Sequence, residues 1–292
     1  MEPTLTRFDG FEGIHLVADV WGAPDAWPVL LMQGGGQTRH AWGGAAQSLA
    51  ANGWRAISLD LRGHGDSEWA LNGDYSFTAF ASDAIAVADQ LGRPPVLVGA
   101  SLGGVASIIA EGTSDRVVSS GLVIVDITHK SNPEGIDRIK DFMSSGLGGF
   151  ATLDDAATAI AAYTPNRPKR VNPAGLMKVL RQKPDGRWYW HWDPAFISRG
   201  RTEVPPADYQ ALFEAALAGI RVPTLLVVGK LSDVVTPEGT QAFLEQVQGA
   251  KHVDVGGASH MVAGDQNDAF ATAVIDFLEQ DVRPVLPGPF PG

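Results

Sequence analysis

The strongest constraint on the fold is a set of short, largely apolar runs: Val29–Met32, Arg55–Leu59, Val96–Val98, Leu122–Val125 and Leu225–Val228. They are continuous where a half-exposed strand would alternate, and such runs fit parallel strands buried on both faces. Segments rich in helix formers lie between them, near 40–52, 77–91, 102–112, 237–248 and 266–280. Thr236-Pro237-Glu238 places an N-cap residue before a proline at the first helical position. Strands alternating with helices imply right-handed crossovers and a mostly parallel α/β sheet covered on both faces. Residues 14–21 partly alternate apolar and polar, as an outer antiparallel strand would, and Val253–Val255 reads as a last short strand.

The rhythm breaks between 129 and 220, a stretch rich in helix formers, prolines and aromatics that ends in Trp188-Tyr189-Trp190-His191-Trp192. The expected organisation is a core of 1–128 and 221–282, a helical cap at 129–220 and a Pro/Gly tail at 283–292. Ligands of open α/β sheets bind at the carboxyl ends of the strands, so a cap there would roof a pocket. The plainer reading is a surface elaboration with structural tryptophans.

Gly99-Ala100-Ser101-Leu102-Gly103 follows the run Pro94–Val98 and opens the helical segment after it. G-x-S-x-G between a strand and a helix is the sharp turn that lifts a serine hydroxyl to the top of a sheet. The motif alone arises by chance in a chain with 34 glycines; the flanking strand and helix make it specific. A serine nucleophile needs a base, and the base an orienting acid, in the chain order Ser, acid, His. Asp233, in the loop after Leu225–Val228, and His260, after Val253–Val255, satisfy that order. Asp126, at the end of the Leu122–Val125 run, is the alternative acid, with loop bonding as its plainer role. His64 precedes the serine and reads as a turn residue; His15, His40, His129 and His252 have no matching context. An oxyanion needs two preorganised donors. The expected ones are the N–H groups of Leu102 and of Gly35, in the loop Gln33–Gln37.

Taken together, Gly99–Gly103, Asp60-Leu61-Arg62-Gly63-His64-Gly65-Asp66-Ser67, Gln33–Gly36, Asp233 and His260 resemble the α/β-hydrolase superfamily over about residues 10 to 280. The resemblance is to the bacterial branch of cofactor-free esterases, carbon–carbon bond hydrolases and non-haem haloperoxidase-like perhydrolases. It implies an eight-stranded-type sheet with a variable cap, a Ser-Asp-His triad, and neither cofactor nor metal. Serine at 101 is unlike the haloalkane dehalogenases and epoxide hydrolases of that fold, for which the resemblance implies aspartate. The family commonly carries His-Gly where this chain has Gln33-Gly34. Gln33 keeps a donor and an acceptor but carries no proton or charge.

A formal charge of −11, from 22 basic and 33 acidic residues, repels nucleic acid and anionic membranes. The absence of cysteine excludes disulfides and thiolate chemistry. The start Met1-Glu2-Pro3-Thr4-Leu5-Thr6-Arg7 has no basic region before an apolar run, and no segment has membrane-spanning length, so a cytoplasmic setting is expected. The expected reaction is hydrolysis of a carboxylic ester or related carbonyl through an acyl-enzyme on Ser101. The alternatives are a cofactor-free perhydrolase, oxygenase or lyase, or a ligand-binding protein on the same fold. Gln33, Gly34, Phe142, Tyr163, Trp188, Trp190 and His191 are the candidate contacts to a small substrate with an apolar or aromatic group. Phe150, Met143 and Trp192 belong to the same aromatic and apolar set, with core packing as the default for each.

Overall fold

The computed structural model describes residues 2–163, 173–198, 206–258, 260 and 267–287. Its sheet strands are β1 (Thr4–Asp9), β2 (His15–Trp21), β3 (Trp27–Met32), β4 (Trp54–Leu59), β5 (Val96–Ala100), β6 (Gly121–Val125), β9 (Thr224–Gly229) and β10 (Lys251–Val255), while β7 (Leu180–Gln182) and β8 (Trp188–Trp190) form a separate hairpin. The eight sheet strands lie in the order β1-β2-β4-β3-β5-β6-β9-β10. β1 pairs antiparallel with β2 and β2 with β4; every later pairing is parallel. The runs that read as doubly buried are so: every residue of β3, β6 and β9 is buried. β1 escaped the sequence reading because its polar, largely exposed residues carry no buried-strand signal.

The helices are α1 (Gly43–Ala51), α2 (Phe77–Asp89), α3 (Leu102–Gly112), α4 (Pro133–Ser145), α5 (Leu153–Tyr163), α6 (Pro173–Leu176), α7 (Ala195–Ser198), α8 (Pro206–Gly219), α9 (Pro237–Gln246) and α10 (Asn267–Phe277). Alternation along the strands divides the core. Leu30, Leu97, Ile124 and Leu226 face Phe80 of α2, Ile108 of α3 and Leu217 of α8. Leu31, Val98, Val123 and Val227 face Leu49 of α1 and Phe270 of α10. Among the described residues, no helix is long and apolar enough to cross a membrane.

The segment between β6 and β9 differs from the expected helical cap in two places. β7 and β8 pair antiparallel across Pro184-Asp185-Gly186, where Gly186 takes φ 80°. Pro-Asp-Gly is a turn signal, and Trp-Tyr-Trp suits a strand more than a helix. At its far end α8 joins the core layer: a Cβ on Gly112 of α3 would lie 1.9 Å from the Ala216 carbonyl oxygen, so the two backbones touch. The tail begins in order, because Arg283–Val285 forms a short 3-10 turn and Arg283 pairs with Glu279 and lies over the Trp54 ring. Residues 288–292 of the expected tail lie outside the described residues.

The tightest junction joins β5 to α3. A Cβ on Gly103 would come within 2.3 Å of the Met32 carbonyl oxygen, and one on Gly99 within 2.2 Å of the Gly103 oxygen. Backbone atoms cannot step aside as a side-chain tip can. Gly103→Ala is expected to cost about 1–3 kcal/mol through overpacking. Thermal unfolding of the purified variant checks this as a fall of several degrees in Tm.

Candidate active site

β5 ends at Ala100 and α3 begins at Leu102, leaving Ser101 alone to make the turn with φ 48° and ψ −109°. Its amide donates to the Val125 carbonyl oxygen at 2.9 Å, which anchors the bend to the end of β6. Positive φ is rare for a residue with a side chain and costs about 1–3 kcal/mol, so it persists only where the surroundings enforce it. Among the described residues, the non-glycine positions with positive φ are Glu12, Ser101 and Asp126.

Two of those three meet at one place. His260 Nδ1 lies 2.7 Å from Asp126 Oδ2. The Asp126 carboxylate has no exposed surface, and its other donors are the Gly229 amide (3.0 Å, to Oδ1) and the Ser232 hydroxyl (2.6 Å, to Oδ2). A carboxylate against Nδ1 selects the tautomer with the proton there, which leaves Nε2 as the acceptor. Asp233, expected as the acid, has no such contact. Its carboxylate pairs instead with Arg138 of α4, and its carbonyl accepts from Asn132 Nδ2 at 3.0 Å. The reason is local: in the loop after β9, Ser232 turns inward onto Asp126, and the next residue turns outward.

The glycine loop after β3 lies beside the elbow, for a Cβ on Gly34 would come within 3.5 Å of Ser101 Cβ. Gly34 N–H donates to Gln37 Oε1 and Gly36 N–H to His64 Nε2, both at 3.1 Å. No hydrogen bond among the described residues engages the Gly35 N–H. The Leu102 N–H, at the first position of α3, has no acceptor within its helix. Gln33, expected as a substrate contact, is fully buried and turned away from the cavity. Its amide nitrogen faces the Leu59 carbonyl at 2.5 Å and its amide oxygen the Leu61 N–H at 3.0 Å, splicing β3 to the end of β4.

His64, read as a turn residue, does more than turn the chain. Its Nδ1 lies 2.9 Å from the Arg62 carbonyl, so Nδ1 donates there and Nε2 is the acceptor for the Gly36 amide. The motif around it is a scaffold. Arg62 forms a buried two-pronged pair with Asp83 (2.6 and 2.8 Å), and Asp60 accepts from the Arg39 side chain at 2.5 Å. Gly65 passes so close that a Cβ would strike the Asp60 carboxylate. His64 matched no catalytic order; its place before Gly65 in a motif that packs on the glycine loop was the available signal.

Ser101, Leu102, Gly34, Gly35 and His260 open into a cavity of about 560 Å³. Phe142, Tyr163 and Trp190 line it, with Met143 and Trp192. Phe142 and Tyr163 stack at 4.3 Å between ring centres, and Trp190 meets Phe142 edge-on at 5.5 Å. Burial holds the Tyr163 hydroxyl above its ordinary pKa, against the opposing charge of Arg138. Trp188 does not line this cavity; its strand pairs with Phe150, whose ring packs on Trp190. His191 is also absent from this wall and borders a second cavity of about 500 Å³, with Asp66 and Arg181.

Comparison with known proteins agrees with this architecture. Residues 29–273 match the model of the Alpha/beta hydrolase family, and the chain belongs to that family. It is 27% identical over 270 residues to esterase Rv0045c of Mycobacterium tuberculosis, covering 89% of this chain and 85% of that one. It is 27% identical over 281 residues to the non-heme chloroperoxidase CPO-A1 of Kitasatospora aureofaciens, covering 92% and 98%. The crystal structure of E-2-(acetamidomethylene)succinate hydrolase superposes with a TM-score of 0.82 at 21% identity, covering 95% and 99%, which is a likeness of fold. Family and relatives together support a hydrolase.

Burial, reinforced by the Arg181 guanidinium, pushes His191 down to about 4. In an unfolded chain it titrates near ~6.5, so between the two values the folded state binds fewer protons. The stability linked to His191 is thus complete above about pH 6.5 and is lost as the pH falls toward about 4. His191→Gln is expected to flatten the decline of Tm over that window, measured by thermal unfolding against wild type.

Proposed function

We propose that this protein is a serine hydrolase that cleaves carboxylic esters with an apolar or aromatic group through an acyl-enzyme on Ser101. One observation carries the reading: the 2.7 Å contact between His260 Nδ1 and the buried Asp126, on the rim of the cavity that Ser101 enters. His260 Nε2 takes the Ser101 proton as Oγ attacks the carbonyl carbon. The Leu102 and Gly35 amides receive the developing oxyanion. The alcohol leaves with the proton from Nε2, and water, deprotonated by the same nitrogen, releases the acid. Asp126 fills the orienting role first expected of Asp233, while Asp233 anchors the start of α4. The segment between β6 and β9 acts as the cap, and its Phe142, Tyr163 and Trp190 receive the apolar group.

A second reading uses the same serine. The relationship to a non-heme chloroperoxidase favours acyl transfer to hydrogen peroxide as an alternative to water. Peracid formation from acetate and peroxide, followed by bromination of a dimedone reporter, separates the two.

The test is a panel of p-nitrophenyl esters with a fluorophosphonate probe. Ser101→Ala should abolish labelling and cut turnover by roughly 10⁴ to 10⁶. Asp126→Asn should cost about 10⁴ in kcat, as expected when the imidazole loses its tautomer, whereas Asp233→Asn should stay within about tenfold of wild type. Full labelling of Ser101→Ala, or a larger loss in Asp233→Asn than in Asp126→Asn, overturns the assignment. Along the panel, kcat/KM should rise from acetate toward longer or aromatic acyl groups by up to about tenfold per methylene.

A further inference from the structure

We infer that Ser232 is a positioning residue for this reaction, its hydroxyl proton fixing the Asp126 oxygen that faces His260. The inference rests on the roles proposed above for Ser101, His260 and Asp126. Ser232 Oγ lies 2.6 Å from Asp126 Oδ2, the same oxygen that contacts His260 Nδ1. Oγ also accepts the amides of Val234 and Val235, both at 3.1 Å. A hydroxyl has two acceptor sites and one proton. With both acceptor sites taken by N–H donors, the proton has one direction left, toward Asp126. The hydroxyl rotor is thereby locked.

The geometry shows why this lock matters. Among the described residues, Asp126 Oδ1 is held by Gly229 N–H alone. Pinned at one oxygen, a carboxylate can swivel about that bond and carry the other oxygen away from the imidazole. Ser232 supplies the second pin, on the oxygen that matters, and it comes from the β9–α9 loop where the acid was first expected. Asp126 holds the imidazole, and Ser232 holds Asp126. Small displacements of an orienting group translate into about a hundredfold in rate.

The test is a double-mutant cycle in the full chain, with p-nitrophenyl ester hydrolysis as the readout. Ser232→Ala should lower kcat by about tenfold to a hundredfold with little change in KM. In an Asp126→Asn background the same substitution should cost almost nothing further, because the effect runs through the carboxylate. Ser232→Thr keeps the hydroxyl and should restore the rate. The low-field proton resonance of His260 Nδ1–H should move or broaden in the alanine variant and return in the threonine variant. Equal losses from Ser232→Ala in both backgrounds would overturn the proposal and leave a loop-capping role; so would an unchanged kcat or an unmoved resonance. If Ser232→Ala does not fold, the threonine rate and resonance decide, wild-type values upholding the proposal and a loss of either overturning it. The two levels separate cleanly: wild-type turnover in Asp126→Asn with a dead Ser101→Ala removes the acid assignment itself, whereas a dead Asp126→Asn beside a fully active Ser232→Ala removes only Ser232.

Discussion

A charge without exposed surface must be satisfied by its neighbours, and Asp126 is that charge here. Leaving a carboxylate buried and unpaired is far costlier than any single contact in the fold. Its partners come from three places: Gly229 at the end of β9, Ser232 in the following loop and His260 beyond β10. The carbonyl of the residue before it, Val125, accepts the Ser101 amide, and the Asp126 amide donates to the Val227 carbonyl at 2.8 Å. One short stretch of backbone thus ties the elbow, the imidazole and two neighbouring strands together. The positive φ at Asp126 and at Ser101 is the conformational cost of that convergence.

Around this centre the polar and apolar parts are divided. The polar scaffold of Arg39, Asp60, Arg62 and Asp83 lies beneath the glycine loop, and His64 connects it to Gly36. Among the described residues, the Gly34 and Gly36 amides on either side are engaged by Gln37 and His64, whereas no hydrogen bond engages the Gly35 amide. The cavity above is walled largely by rings and aliphatic chains. Gln33 belongs to the scaffold. Its neutral amide joins two strand ends, a task that needs one donor and one acceptor but no charge.

Much of the fold was legible in the residues. The parallel strands announced themselves because burial on both faces demands continuous apolar runs, and the elbow because only glycine fits at 99 and 103, on either side of Ser101. Other parts left fainter traces. β1 is mostly exposed and carries no hydrophobic signature, the β7–β8 hairpin was masked by surrounding helix formers, and α8 looked continuous with the segment it follows although it packs on α3. Trp188 and His191 illustrate the limit of reading aromatics as pocket walls. Trp188 and Trp190, two apart on β8, share a face of the strand, yet Trp190 lines the cavity while Trp188, paired with Phe150, lies outside its wall.

By itself the sequence determined the sheet, the turn that lifts Ser101, the histidine that follows in the right order and two aspartates at the carboxyl ends of adjacent strands. Local patterning can do this because periodicity and glycine placement act over a few residues. Only the tertiary structure shows which of the two aspartates, Asp126 or Asp233, meets His260. That choice depends on how one loop rotates: Ser232 fills the inward position beside Asp126, and Arg138, almost a hundred residues earlier on another element, draws Asp233 outward. A contact between elements so distant in the chain has no local signature, so it becomes visible only when the elements are packed together.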